Sequence, residues 1–439
     1  MNLGTAAART ALVLLLLCLV SCATGSGVYK DIDRGVNTGA YGNALAAMDD
    51  PKTAGVLYPP RNEILYRLDR GMIEHYADQW TDSSADLEEA ERQIEAAYTK
   101  SISQEIGTFI LNDNVRDYQG EDYEDLYLNV FNALNYYHRG NTEGALVEIR
   151  KVNEKLRFLQ DKYEVASEKI TNANPNLAGS DYTTEAVSFS NSALARYLSL
   201  LFFRSIGDAD SARIDLNELY RAYELAPAVY YNDPPSSLKD ELVIPDGKAR
   251  LNVMGFIGLS PVKEEVNLWL PLPLPYPNNR ARLALPVMID RPSAVNSVEV
   301  VISGGQRFKL ELIEDISGVA RETFKAKYGL TLLKTTARTI AKSITSAGIA
   351  GAAKRRDENL GALLGLFGRI ATELSESADL RISRYFPGRV FVGGIDLDPG
   401  LYTVTVNYYG ARGLISSEHR NNIEVAGDKL NLTEFVCLK

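Results

Sequence analysis

The stretch between Pro227 and Pro277 sets the outline of what this chain folds into. Pro234-Pro235, Pro245-Asp246-Gly247 and the run Trp269-Leu270-Pro271-Leu272-Pro273-Leu274-Pro275-Tyr276-Pro277 exclude helix, because each proline locks its own φ and removes a backbone donor. Alternate prolines favour an extended polyproline II rod. Such a rod serves either as a docking strip for an aromatic groove on a partner or as a stiff connector laid against the chain's own domain. The second reading is preferred, and 229–280 is expected to be a Pro-rich connector.

Upstream of it, apolar residues recur at helical spacing from about Asn62 to Leu225 and strand-like alternation is scarce. Ala133, Tyr136, Gly140, Ala145, Ile149 and Val152 follow the small, aromatic, turn-glycine, small, large, apolar steps of a tetratricopeptide (TPR) hairpin, and Leu200, Phe203, Gly207, Ala212, Leu216 and Leu219 repeat them. Gly71, Ser83, Leu87 and Ala90 match earlier, with Glu74 and Asp78 where the aromatic and the turn glycine belong. Small residues let antiparallel helices approach while large ones fill the groove. The spacing differs from a tandem array, so extra helices are expected between the matched hairpins.

Downstream, Leu283–Ile289, Ser297–Ile302, Phe308–Ile313, Val390–Val392, Leu401–Tyr408, Asn421–Val425 and Leu430–Cys437 carry strand signals, with Ser303-Gly304-Gly305-Gln306 and Asp398-Pro399-Gly400 as turns. An α+β chain follows: a TPR-like helical domain over 61–228, then a small antiparallel β-sandwich or barrel over 281–439. Its two parts are separated by an inserted helical hairpin, 315–378. Between Ile316 and Arg356 that insertion carries nine basic residues and one acid, Glu322. Lys334, Arg338 and Lys342 cluster on a face away from the stripe Leu333, Ala337, Ile340 and Ile344. It is expected to lie on anionic lipid, to pack on the chain's own acidic half, or to meet a partner helix.

Charge is unequal between the halves. Residues 23–250 hold 23 basic and 38 acidic side chains, and 251–439 hold 23 and 19. This balance argues against nucleic acid, which needs a basic patch with little competing acid, and permits the halves to attract each other.

The leader gives an address. Arg9 precedes the apolar run Ala11–Val20, which is too short for a bilayer span but suits an export signal. The run closes in Leu19-Val20-Ser21-Cys22, resembling the bacterial lipobox. Residues 1–21 are therefore expected to be removed, Cys22 to become the acylated first residue, and 22–60 to act as a tether. Ala23 after the cysteine resembles an outer-membrane address facing the periplasm.

Leu111-Asn112-Asp113 through Tyr118, Gly120 and Tyr123-Glu124 to Leu134-Asn135-Tyr136, then Ala145-x-Val147-Glu148-x-Arg150, is similar to a family of TPR-like bacterial lipoproteins. So are Ala378-Asp379-Leu380-Arg381, Phe386-Pro387-Gly388 and Asp398-Pro399-Gly400-Leu401-Tyr402. The resemblance implies a role in envelope or peptidoglycan assembly and brings no catalytic residues. The acids of the first motif are read as structural, with Glu124 and Glu148 answering Arg150 and Arg116 between packed helices.

Gly-x-Ser-x-Gly, GxxxxGK, HExxH and GxGxxG motifs are absent, and His75, His138 and His419 stand far apart in sequence. No metal site and no cofactor are expected. The chain reads as a non-enzymatic, lipid-anchored interaction scaffold with an envelope protein as partner. Its candidate contact residues are Tyr136, Arg150, Lys334, Arg338 and Lys342. The alternative is a carrier or hydrolase of envelope glycan or lipid working in a groove between the halves. Because one or more acyl chains on Cys22 would carry the anchorage, Cys22→Ser is expected to move the protein into the soluble envelope fraction. Membrane fractionation together with uptake of labelled acyl chains checks it.

Overall fold

The computed structural model describes residues 27–103, 117–173, 189–271, 280–328 and 378–439. Two compact units meet in sequence at Pro59 and Pro60. In the first, the stretch expected to be a tether carries three short helices: α1 (Lys30–Thr38), α2 (Tyr41–Met48) and α3 (Pro51–Leu57). They form because Ile32, Val36, Ala44 and Met48 bury together, and because Gly35 lets α1 approach α2 until an added Cβ would stand 2.8 Å from that of Ala44. Asp50 caps α3 by accepting from the Lys52 and Thr53 amides, with Pro51 at the first helical position.

The second unit contains both the helical and the β parts, which the sequence reading separates into two domains. Its helices come in hairpins: α4 (Glu63–Tyr76) with α5 (Trp80–Ser103), α6 (Asp122–His138) with α7 (Thr142–Ala173), and α8 (Ala193–Ser205) with α9 (Ala209–Leu225). The three turns are alike. Gly140 and Gly207 stand at φ +74° and +79°, and Asp78 takes the same left-handed conformation at +59°. The amide after each donates back to the carbonyl five residues earlier, Gln79 to Glu74, Asn141 to Tyr136 and Asp208 to Phe203, closing the orphan carbonyls of the helix end. Between the arms, Ala133, Ala145, Ile149 and Val152 are buried, as are Ala212 and Leu219. At Gly71 a Cβ would meet Leu87 at 2.9 Å, so α4 and α5 need a glycine there.

The sheet begins earlier than the sequence implies. Residues 249–271, inside the expected connector, form its longest strand, β1 (Ala249–Pro271). The prolines of this stretch do not exclude a strand, because they fall where the ladder makes no demand on them. Pro261 lies in a bulge where the β1 register shifts between Leu259 and Val262, and Pro271 sits at the strand end opposite Arg280. The remaining strands are β2 (Arg280–Arg291), β3 (Ser297–Ile302), β4 (Arg307–Glu314), β5 (Pro387–Leu397), β6 (Gly400–Gly410), β7 (Gly413–Val425) and β8 (Asn431–Cys437). They make one curled sheet in the order β2-β1-β5-β4-β3-β6-β7, not two stacked sheets. Every pairing is antiparallel except that of β8, which runs parallel to β1 from Leu251 to Ile257. Its concave face encloses a core that includes Val253, Val298, Val300, Val404, Val406 and Phe435.

Of the expected insertion, residues 316–328 are helical, and 329–377, with Lys334, Arg338 and Lys342, lie outside the described residues. So do the leader, Cys22 and most of the Leu-Pro repeat. Among the described residues no helix is long and apolar enough to cross a membrane.

Ala145 has no exposed surface, and enlarging a well-packed site costs about 1–3 kcal/mol. Ala145→Leu is expected to lower the melting temperature of the full chain by that equivalent, while the exposed Val147→Leu on the same helix leaves it unchanged. Calorimetry of both variants checks it.

Candidate functional site

Two motifs that lie some 260 residues apart in sequence meet where the insertion leaves and rejoins the sheet. Glu121 is the N-cap of α6, and it exchanges hydrogen bonds with Glu124 in a capping box. Its side chain is buried and receives Lys263 of β1 at 2.5 Å and Lys327 of the 316–328 helix at 2.8 Å on the same Oε1. Lys263 also donates to the Arg381 carbonyl at 3.0 Å and lies over the Phe324 ring. Glu124, fully buried, accepts from the Tyr118 hydroxyl at 2.6 Å, the Glu121 amide at 2.8 Å and the Ser383 amide at 2.5 Å. Asp69 of α4 accepts from the Ser383 hydroxyl and the Arg384 amide. Arg381 chelates Asp379 through two nitrogens at 2.9 and 2.8 Å, and its guanidinium lies over Tyr118.

Both described ends of the insertion are thus held beside the same part of β1, one through Glu121 of α6 and the other directly. Lys327 and Lys263 share Glu121, and the Ala378 amide donates to Glu265 at 2.8 Å. The segment 378–386 has almost no regular secondary structure, so its backbone groups need side-chain partners. Glu124 supplies one to the Ser383 amide and Asp69 one to the Arg384 amide.

The electrostatics follow from burial and neighbours. Burial opposes the charged form of Glu121, but the two lysines outweigh it and hold its carboxyl below the usual range. Among the described residues no cation pairs with Glu124; burial and the adjacent Glu121 carboxylate raise it to about 7 against the pull of its three donors. Asp379 is held low, chiefly by Arg381 and Lys263 working against burial. The arrangement clamps chain segments together. Glu121, Glu124, Asp69 and Asp379 each accept at least one bond from another segment or from a neighbouring side chain.

The expected site residues are distributed differently. Tyr136 is half-buried, donates to Glu88 at 2.9 Å and carries the Arg139 guanidinium over its ring. A Cβ at Gly144 would stand 2.6 Å from that ring, so Tyr136 fills the groove of its own hairpin. Arg150 is exposed on α7 and does not answer the buried acids. Residues two apart on a helix face different ways, and Glu148 instead accepts from Asn129 at 2.7 Å and pairs with Lys151 at 3.1 Å. Arg116 lies outside the described residues.

Lys263, Lys327, Asp69 and Ser383 were not legible as site residues, because their partners are distant in sequence. The one available signal was the density of acids beside tyrosines at 117–125, which exceeds what a solvated helix start requires. Among the described residues no group of three or more His, Cys, Asp or Glu side chains is arranged to hold a metal ion. Comparison with protein-family models, curated proteins and solved structures finds no match to this chain.

Removing one partner of a buried ion pair costs about 3–5 kcal/mol, since the other charge stays buried. Glu121→Gln is expected to destabilise the full chain by about that amount near pH 7. Because the Glu121 carboxyl is held low, its contribution is present above the unfolded value of about 4.3 and is lost as the pH falls through the folded one. The gap between variant and wild type should therefore narrow in acid, as read from urea melts at pH 7 and below pH 4.

Proposed function

We propose that the chain is a non-enzymatic, lipid-anchored cell-envelope protein that acts as an interaction scaffold in envelope or peptidoglycan assembly. Acylated Cys22 ties it to the membrane, in this reading the outer membrane on its periplasmic side. The three hairpins are TPR-like modules, and the basic segment carrying Lys334, Arg338 and Lys342 is the contact element for an envelope protein or for anionic lipid.

The observation that carries this reading is the double anchorage of the insertion. Lys327 pairs with Glu121 of α6, which also takes Lys263 of β1, and the Ala378 amide donates to Glu265, two residues along the same strand. A segment held at both ends on a rigid base loses less entropy on meeting a partner than a free tail would. The repeated turns at Asp78, Gly140 and Gly207 support the modular reading of the helical layer. TPR-like hairpins expose ridges for protein partners without needing a catalytic cleft.

Replacing residues 329–377 with a short Gly-Ser linker tests the proposal. The variant is expected to keep its membrane fractionation and its melting temperature while losing the protein and lipid crosslinks that wild type makes in cells. Unchanged crosslinking by the shortened chain would remove the insertion as contact element.

A further inference from the structure

We propose that His75, His138 and Glu434 form a proton-dependent latch that fastens the C-terminal strand β8 to the helical layer and loosens as the pH rises. Two of the chain's three histidines converge on one carboxylate. His75 Nε2 lies 2.9 Å from Glu434 Oε2, and His138 Nε2 lies 2.6 Å from Oε1. His75 comes from the last turn of α4 and His138 from the last residue of α6, whereas Glu434 is in β8. All three are at or near full burial, His138 being the most open with 15% of its side chain exposed.

The hydrogen-bond order around His75 fixes where its protons are. Ser83 Oγ donates to the Gly71 carbonyl at 2.7 Å, so it accepts from Asn135 Nδ2 at 2.8 Å. Asn135 therefore presents Oδ1, an acceptor only, to His75 Nδ1 at 2.7 Å. On the other side of the ring Nε2 meets a carboxylate, which also only accepts. Both ring nitrogens must carry hydrogen, and the ring is an imidazolium.

The surroundings agree. Glu434 faces the ring from β8, Asn135 and the edge-on Phe131 from α6, Ser83 from α5, Tyr76 from its own helix and Phe256 from β1. The charged or titratable groups acting on it are Glu434, Asp78 in the adjoining turn, and, through the shared carboxylate, His138. Trp80 stacks on His138 at 4.4 Å and closes the outer side. Burial disfavours the charged ring, but Glu434, Asn135 and Asp78 outweigh it and leave His75 above the ordinary imidazole value. Burial likewise opposes the Glu434 charge, and the two imidazoles outweigh it and hold that carboxyl low.

The direction of the pH effect follows. A group raised on folding contributes fully below its unfolded value, about 6.5 for imidazole, and its contribution is lost as the pH rises through the folded one. Glu434, being depressed, contributes above about 4.3 and is lost only as the pH falls through its low folded value. The latch therefore survives mild acid and weakens in mild alkali. Release would not dissolve the sheet, since β8 keeps its parallel ladder to β1. It would free the helix side of the strand, where Tyr137 also bonds the Leu430 carbonyl and the Leu432 amide.

The test uses the full chain in detergent with ¹⁵N-labelled histidine. At pH 7.5 a free imidazole is about tenfold depleted in its charged form, whereas His75 is expected to show both ring N–H signals there and to lose one of them on further titration. Its loss should coincide with a fall in melting temperature between pH 7 and 9, and Glu434→Gln should abolish that slope. A singly protonated His75 at pH 7.5 overturns the proposal, as does a wild-type pH slope retained in Glu434→Gln. If that variant does not fold, the ring signals of the wild-type protein decide the matter alone.

Discussion

Buried glutamates hold the helical layer to the sheet, and the remaining architecture depends on how each is answered from the opposite side. Glu121 takes lysines from β1 and from the 316–328 helix, and Glu434 takes imidazoles from α4 and α6. Glu241 pairs with Arg204 of α8 and with Arg250 of β1. Glu314, at the end of β4, accepts from Tyr127, from Tyr230, from the Ser192 hydroxyl and from the Leu194 amide. It thereby places a carboxylate at the N-terminus of α8, where the free amides and the helix dipole favour negative charge. A buried ion pair adds little net stability compared with a well-packed apolar contact, but leaving either member unpaired is costly. Its effect here is on arrangement: any sliding of helix against sheet would strand several charges at once.

The same rule accounts for the charge inequality between the halves. Part of the helical half's acidic excess faces inward, where its partners are Lys263, Lys327 and backbone amides of the 378–386 segment. Attraction between an acidic and a basic half is realised at a few desolvated points, where screening by salt is weak. Within the helical layer Glu91 plays a similar part, joining Lys151 and Lys155 of α7 to α5. These local pairs keep the hairpins in register.

Legibility varied with the range of the interaction that decides each feature. Helix hairpins with turns at Gly140 and Gly207 were readable, because a left-handed turn residue and a 3.6-residue period are local properties. Asp78 adopts the same turn without glycine, so the first hairpin could be matched only at Gly71, Ser83, Leu87 and Ala90. The strand β1 was not readable. Its prolines pointed to a connector, and only pairing with β2, β5 and β8 makes it part of the sheet. Arg150 was chosen from its place in a motif, and the helix turns it outward.

By itself, the sequence determined the α+β class, the division into a helical and a strand-rich half, the turns between helix arms and the alternation that buries Val298, Val300, Val404 and Val406. Each depends on neighbours within a turn or a strand, so the information is contiguous. The tertiary structure alone decided that β8 runs parallel to β1, that the sheet curls as one, and that Glu121, Glu124 and Glu434 find their partners in segments more than a hundred residues away. A carboxylate in a sequence looks the same whether it is solvated or buried. Which it becomes depends on whether chain closure brings a donor to it, and that is a property of the whole fold.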